Sequence, residues 1–205
     1  MLERGTTVEL ARGGHITPLA NDTLRERRVS VVHEGRASDA DASLAPVTDV
    51  RRVVIGSDPS GVELRGALAA FLRSRGLAVD DSAAGQSDSL EYPAVAARVA
   101  RAVASGEADA GIVIDAGGVG SAIAANKISG VRAAVAGSER IARYSREHAG
   151  ANVLALGAAF LTIEEALAVT TAWLTTPMRD ARAIGLLARI RDLEKPMANG
   201  GRQAS

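Results

Sequence analysis

The sequence predicts an α/β fold from about residue 51 onward, with helices covering both faces of a parallel β-sheet. Three observations lead to this prediction. Short apolar runs alternate with segments whose apolar residues recur at helical spacing. Glycines such as Gly76 and Gly106 stand where helices should end. The most apolar run, residues 111–114, leads directly into a glycine-rich turn, and continuous apolar runs are typical of strands buried on both faces.

The N-terminal part of the chain reads differently from the rest. Thr17 suits a helix N-cap and Pro18 suits the first helical position, so a short amphipathic helix is predicted from there to about Arg28. Residues 29–32 are predicted to form a strand. Residues 34–48 are rich in Ala, Ser and Asp, a composition typical of a linker.

From residue 51 the pattern predicts five strands and six helices in alternation. The strands are expected at residues 53–55, 77–79, 111–114, 131–136 and 153–156. The helices are expected at about residues 62–75, 93–105, 118–127, 138–148, 163–174 and 180–194. This alternation predicts a three-layer, Rossmann-like arrangement with right-handed crossovers. The predicted organisation is an extension and linker at 1–50, the α/β domain at 51–195 and a flexible tail at 196–205.

Composition narrows the classes of function. Aromatic residues make up 2% of the 205 residues, which argues against a nucleic-acid binder that stacks bases. Lys plus Arg and Asp plus Glu both number 24, so the total charge indicates no basic face. The absence of cysteine excludes disulfides and thiolate chemistry and fits the cytoplasm. No stretch is apolar enough to span a membrane, since residues 112–128 are interrupted by Asp115 and several glycines.

The turn at residues 115–120 is the first candidate site. Its glycines let backbone N–H groups approach a ligand closely, and the helix that follows carries a partial positive charge at its N-terminus. Together these features suit an anion, such as a phosphate or a developing enediolate oxygen. Asp115 could act there as a general base, or it could only cap the helix. The spacing leaves both interpretations open.

Two other residues and one arginine group have similar alternatives. Asp58 could bind sugar hydroxyls or cap the next helix. His148 could exchange protons near neutral pH or only interact with a helix dipole. Ligands of such sheets bind beyond the carboxyl ends of the strands, and we expect Asp58, the turn at 115–120 and His148 to meet there. The arginines of the last helix could reach a phosphate or form a solvated face; they are Arg179, Arg182, Arg189 and Arg191.

Several motifs together carry a more specific signal. They are Gly56-Ser57-Asp58 with Gly61, the run 111–114, Ile123-Ala124-Ala125-Asn126-Lys127, and Ser145-Arg146-Glu147-His148 ahead of 151–157. In combination they resemble the ribose-5-phosphate isomerase B and galactose-6-phosphate isomerase family over about residues 52–194. The resemblance implies an enzyme that interconverts aldose and ketose phosphates through an enediolate, without a metal or other cofactor. It also implies a site between two subunits of a homodimer or tetramer.

The resemblance assigns a role to each candidate residue. Asp115 stands at the position of the family's usual base, and His148 falls on the histidine that opens the sugar ring. Asp58 falls on a substrate-binding aspartate, and Arg182 on an arginine that holds the phosphate. The anion-stabilising turn is matched by Gly117, Gly118 and Gly120. The implied ligand is a phosphorylated sugar, with no nucleic-acid or membrane partner.

The chain also departs from the family's pattern. Asp115 stands where a cysteine is usual, and Gly117 where a hydroxyl residue is usual. Pro59 replaces a histidine, Ser121 stands where some members carry a glutamate base, and Ala149 follows the histidine in place of an asparagine. Two further phosphate arginines appear as Ala159 and Leu186.

Two alternatives to a self-sufficient enzyme therefore stay open. Residues 111–116, followed closely by Gly-x-Gly, resemble the A subunit of galactose-6-phosphate isomerase, which also lacks the cysteine and works with a B subunit. The chain could thus be half of a site that a related subunit completes. Residues 16–26 resemble segments of enzymes linked to bacterial microcompartments. The helix predicted there could dock to a partner, or it could simply pack on the domain, and both interpretations are open.

Overall fold

A five-stranded parallel sheet, in the strand order β4-β3-β5-β7-β6, organises the part of the chain that follows residue 51. The computed structural model describes residues 7–10, 14–33, 42–81 and 91–194. The strands are β1 Thr7–Leu10, β2 Ser30–His33, β3 Arg52–Ser57, β4 Ala78–Asp80, β5 Ala110–Asp115, β6 Ala133–Val135 and β7 Val153–Gly157. The helices are α1 Pro18–Glu26, α2 Val62–Ser74, α3 Tyr92–Ala104, α4 Val119–Ala125, α5 Glu139–Ala149, α6 Ile163–Thr175 and α7 Ala181–Asp192.

The central strands are apolar throughout because both faces of the sheet are covered. All six residues of β5 and all five of β7 are buried. Alternate side chains enter two different cores: Ile112 and Ile114 pack with residues of α2 and α6, whereas Val113 packs with residues of α3 and α4. The predicted three-layer arrangement, with its five strands and six helices after residue 51, is confirmed.

Helix ends follow the predicted signals. Thr17 caps α1, with Pro18 at its first position, and the Ser138 hydroxyl caps α5. Gly76 and Gly106 end α2 and α3 in the left-handed conformation, at φ of 83° and 78°. Strand β1 was not predicted. It is four residues long and pairs with β2, which follows α1 in the chain, so its partner is not a neighbouring segment of the sequence.

Parallel strands give the sheet two distinct edges. The carboxyl edge carries the last residues of β3, β5 and β7, namely Ser57, Asp115 and Gly157. Helix α5 leaves the end of β6 and returns to the start of β7, so its last turn, with His148, lies at the opposite, amino edge. The expectation that His148 meets the glycine turn at the carboxyl edge of the same chain is therefore wrong.

Two arginines, Arg146 and Arg132, fasten residues 44–47 to the amino edge. Arg146, 1% exposed, donates to the carbonyls of Ala151 at 2.7 Å and Val47 at 2.8 Å. Its guanidinium lies 4.6 Å from the centroid of the Trp173 ring. Arg132 donates to the Leu44 carbonyl at 2.8 Å. Burial, and to a smaller extent the charge of Arg132, lowers the pKa of Arg146 to about 10.

This contact extends to the last helix. Leu44 and Ala45 pack against the cluster formed by Met178, Ala183 and Leu187. Residues 42–48, predicted as part of a linker, thus lie against the α/β unit, while residues 34–41 of that predicted linker and the predicted tail at 196–205 fall outside the described residues.

Candidate functional site

The glycine turn after β5 closes around its own carboxylate. Asp115 Oδ1 accepts hydrogen bonds from the N–H groups of Gly117, at 2.7 Å, and Gly118. Asp115 Oδ2 accepts from the N–H of Ser121 at 2.7 Å. The side chain is 5% exposed. These bonds satisfy three of the N–H groups around the start of α4, so Asp115 acts as an internal anion in the nest that the sequence predicted for a ligand.

The surroundings of Asp115 also set its protonation. Burial alone would raise the pKa of this carboxyl, because the charged form loses hydration. The Ser121 hydroxyl and the backbone N–H groups of Ser121, Gly118 and Gly117 act in the opposite direction, and together they outweigh burial. The pKa of Asp115 therefore lies below its ordinary value. A carboxylate held in this way is a weak proton acceptor, since a base works best with a pKa near the working pH.

Glycine is required at one position of the turn and optional at another. Gly118 has φ of 75°, and a Cβ there would lie 2.9 Å from the carbonyl carbon of Leu156. A Cβ at Gly117 would meet its nearest atoms at 3.9 Å, in ordinary contact. A side chain could therefore project from position 117 without disturbing the turn, whereas position 118 allows none.

Asp58 lies beside the turn at the same carboxyl edge. Its backbone N–H donates to the Ile114 carbonyl at 3.1 Å, which joins the end of β3 to the end of β5. Its carboxylate accepts from the Ser60 N–H at 2.9 Å and from the Ser60 hydroxyl at 2.5 Å. The capping interpretation of Asp58 is thus confirmed, and the backbone of Asp58 adjoins the end of β5 that leads into the glycine turn.

The other two predicted residues, His148 and Arg182, lie at the amino edge. The His148 side chain is 45% exposed, and its Nε2 is 3.8 Å from the Glu147 carboxylate. Its ring contacts Tyr144 at a centroid distance of 4.6 Å. Arg182 is exposed in the first turn of α7. One chain therefore brings Asp58, Asp115 and the glycines together but keeps His148 and Arg182 at the opposite end of the sheet.

A buried ion pair beneath the carboxyl edge escaped the sequence interpretation. Arg65 Nε lies 3.3 Å from Asp81 Oδ1, and Arg65 Nη1 donates to the hydroxyl of Ser57 at 3.3 Å. The pair stabilises the end of β3, one residue before Asp58. The signal was available, because Arg65 shares the helical face of Leu68 and Leu72, and a charged residue on a buried face needs a partner.

Phe160 and Tyr92 were also missed. The Phe160 ring lies against Gly117 and Gly157, and the Tyr92 ring lies against Gly120. Both side chains are exposed beside the turn. No sequence pattern indicates a functional role for either residue. The position of each ring depends on the course of the backbone segment that precedes it.

The described ranges contain neither a metal site nor a membrane-spanning helix. There, no cluster of three His, Asp or Glu side chains is arranged to hold a metal ion. None of the helices in this part of the chain has the length and apolar character needed to cross a bilayer.

Comparison with known proteins identifies the fold's relatives. The family described as Ribose/Galactose Isomerase matches residues 53–190. Ribose-5-phosphate isomerase B of Escherichia coli K12 is 41% identical over 125 residues, covering 61% of this chain and 84% of that protein. Its namesake in Mycobacterium tuberculosis H37Rv is 36% identical over 155 residues, covering 73% and 96% respectively.

Solved structures agree with this result. Ribose-5-phosphate isomerase B of Clostridium thermocellum matches with a TM-score of 0.69 and 41% identity, over 72% of this chain and 99% of that one. The Mycoplasma genitalium enzyme with bound ribulose-5-phosphate matches with a TM-score of 0.67 and 33% identity, over 71% and 97%. The chain therefore belongs to the ribose/galactose isomerase family.

Proposed function

We propose that the chain interconverts the aldose and ketose forms of a phosphorylated sugar by proton transfer through an enediolate. The observation that carries this proposal is the carboxyl edge, where Asp58 and the turn from Asp115 to Gly120 lie side by side in a fold shared with ribose-5-phosphate isomerases B. In the open-chain sugar a base removes the proton from C2, charge moves onto the oxygens, and a proton returns at C1.

We further propose that two copies of the chain build each site. Asp58 and the glycine turn come from one copy, while His148 and Arg182 come from the amino edge of its partner. A pair of copies resolves the separation found within one chain, since a two-fold interface can bring one edge of a subunit to the opposite edge of the other. His148 would then open the sugar ring, and Arg182 would bind the phosphate.

The identity of the base separates two forms of this mechanism. Asp115 stands at the expected position, but its two oxygens already accept three N–H donors. To act as base it must give up one of these hydrogen bonds during turnover. The same observation favours a second candidate function, in which Asp115 holds the turn and a related subunit supplies the base.

Solvent exchange separates the two candidates. The pure chain is incubated in D₂O with ribose 5-phosphate and, separately, galactose 6-phosphate, and deuterium at C1 and C2 is followed by NMR. Turnover with exchange by the pure chain supports the self-sufficient enzyme. Activity that appears only after a second family member is added supports the half-site subunit. Full turnover by the Asp115→Asn variant would show that Asp115 is not the base.

Docking of α1 to a microcompartment shell or another partner stays a prediction. No residue of α1 is buried, and Leu19 is 78% exposed, which leaves its apolar side chain available. Leu19→Asp in the full chain should abolish capture of such a partner without changing isomerase turnover. Unchanged capture would reject the docking role.

A further inference from the structure

Each exposed aromatic residue lies against a residue that we propose for the two-copy site. The chain has one Trp, two Tyr and two Phe. Trp173 is fully buried and Phe71 packs against the core. The other three are exposed: Tyr92 at 41%, Tyr144 at 64% and Phe160 at 77%. A single exposed aromatic side chain needs no explanation, but three that each contact a candidate site residue indicate a shared role.

Phe160 is the most exposed of the three and is firmly placed. The segment that leads to it pairs with the glycine turn: the N–H of Ala158 donates to the carbonyl of Asp115 at 2.9 Å, and that of Ala159 to Ala116 at 3.0 Å. The N–H of Phe160 itself donates to the Gly157 carbonyl at 3.1 Å. The backbone of Phe160 is therefore held at the rim of the turn.

The floor under the ring is formed by glycine. A Cβ on Gly157 would lie 3.1 Å from Phe160 Cδ2 and 2.8 Å from the Gly117 carbonyl oxygen, so this close approach requires glycine. One edge of the ring, with Cδ2 and Cε2, lies nearest this backbone, and Phe160 is otherwise largely exposed to solvent. A ligand bound over the turn would therefore lie next to the ring.

Residues 158–160, at the rim of the turn, suit contact with the carbon skeleton of a sugar rather than with its phosphate. Residues 158–160 read Ala-Ala-Phe and carry no charge. The face of a phenyl ring carries a partial negative charge, so it attracts the C–H groups of a sugar and does not attract an anion. We propose that Phe160 is a specificity-determining residue, whose ring packs on the C–H face of the sugar skeleton while the phosphate is bound elsewhere. This inference rests on the proposed function.

Binding measurements on the full chain test this role. Dissociation constants for ribose 5-phosphate and for inorganic phosphate are measured by calorimetry for the wild type and for Phe160→Ala. The variant should bind ribose 5-phosphate about five- to tenfold more weakly, roughly the value of one aromatic contact. It should bind inorganic phosphate unchanged, and Phe160→Tyr should keep wild-type affinity for both. Leu193→Ala serves as control, because Leu193 is similarly exposed, at 83%, on the far end of the chain's last helix.

Each other outcome has a defined meaning. Equal affinities of wild type and Phe160→Ala for ribose 5-phosphate would overturn the inference, as would equal weakening toward inorganic phosphate. A change in sedimentation velocity would identify Phe160 as an interface residue and reject the specificity role. Phe160-dependent binding without any isomerisation would leave the inference standing and reject the proposed reaction. If the wild type bound no sugar phosphate, both would fail.

Discussion

Replacing Asp115 by Asn tests whether this carboxylate holds the glycine turn. An asparagine keeps one oxygen, which can accept from Gly117 and Gly118, but its amide NH₂ then faces the N–H of Ser121, and two donors meet. A lost hydrogen bond to a charged group and a buried N–H without a partner cost about 2–4 kcal/mol together. In urea this corresponds to a midpoint lower by roughly 1–2 M.

The effect should also depend on pH in a defined direction. The pKa of Asp115 is lower in the folded chain than its ordinary value, which applies when the chain is unfolded. The stabilisation is therefore complete above about pH 5 and is lost as the pH falls through the lower, folded value. The difference between wild type and Asp115→Asn should be constant from neutral pH to about pH 5 and should narrow below that.

Urea unfolding followed by circular dichroism measures this difference. Asp49→Asn is the matched control, because Asp49 is an exposed carboxylate, 74% accessible, in an ion pair with Arg51, and such pairs contribute less than about 1 kcal/mol. If Asp115→Asn were as stable as the wild type at neutral pH, the structural role assigned to the three hydrogen bonds would be refuted. A loss of turnover with unchanged stability would instead point to a base.

Three further tests of stability, with five substitutions in all, are each read from the urea midpoint. Arg146→Met should cost about 2–4 kcal/mol, because the buried carbonyl of Ala151 and the part-buried carbonyl of Val47 lose their donor; a neutral result would mean that burying this charge cancels its hydrogen bonds. Gly118→Ala should cost about 2–3 kcal/mol through its left-handed backbone and its contact with β7, while Gly117→Ala should be neutral; equal effects would contradict the turn geometry. Leu44→Ser should cost about 1 kcal/mol and Val47→Ser, at an exposed position, almost nothing; the reverse order would show that residues 44–47 do not pack on α7.

Local signals were sufficient for the elements of the fold. Thr17, Ser138, Gly76 and Gly106 mark helix ends through bonds that span a few residues, so the sequence alone places them. The continuous apolar runs similarly identify strands buried on both faces. Strand β1 escaped because its pairing depends on a distant strand.

The arrangement of the site depended on tertiary geometry. The predicted anion nest exists, but three of its N–H groups donate to Asp115, and nothing in the spacing of residues 115–121 distinguishes an internal carboxylate from a bound ligand. His148 was expected at the wrong edge because a motif gives a position in the chain, while its edge follows from the return direction of α5. Phe160 contacts Gly117 only because β7 lies next to β5.

Mixing two inactive variants tests most directly whether two copies of this chain build each isomerase site. Gly117→Leu would place a bulky side chain above the turn at the carboxyl edge, where an added Cβ meets only ordinary contacts, and His148→Ala removes the proposed ring-opening group at the amino edge. Each variant alone should be inactive, and an equimolar refolded mixture should recover about a quarter of wild-type activity, since half of the pairs carry one intact site out of two. No recovery, with mixed pairs confirmed by mass spectrometry, would contradict a site shared between copies.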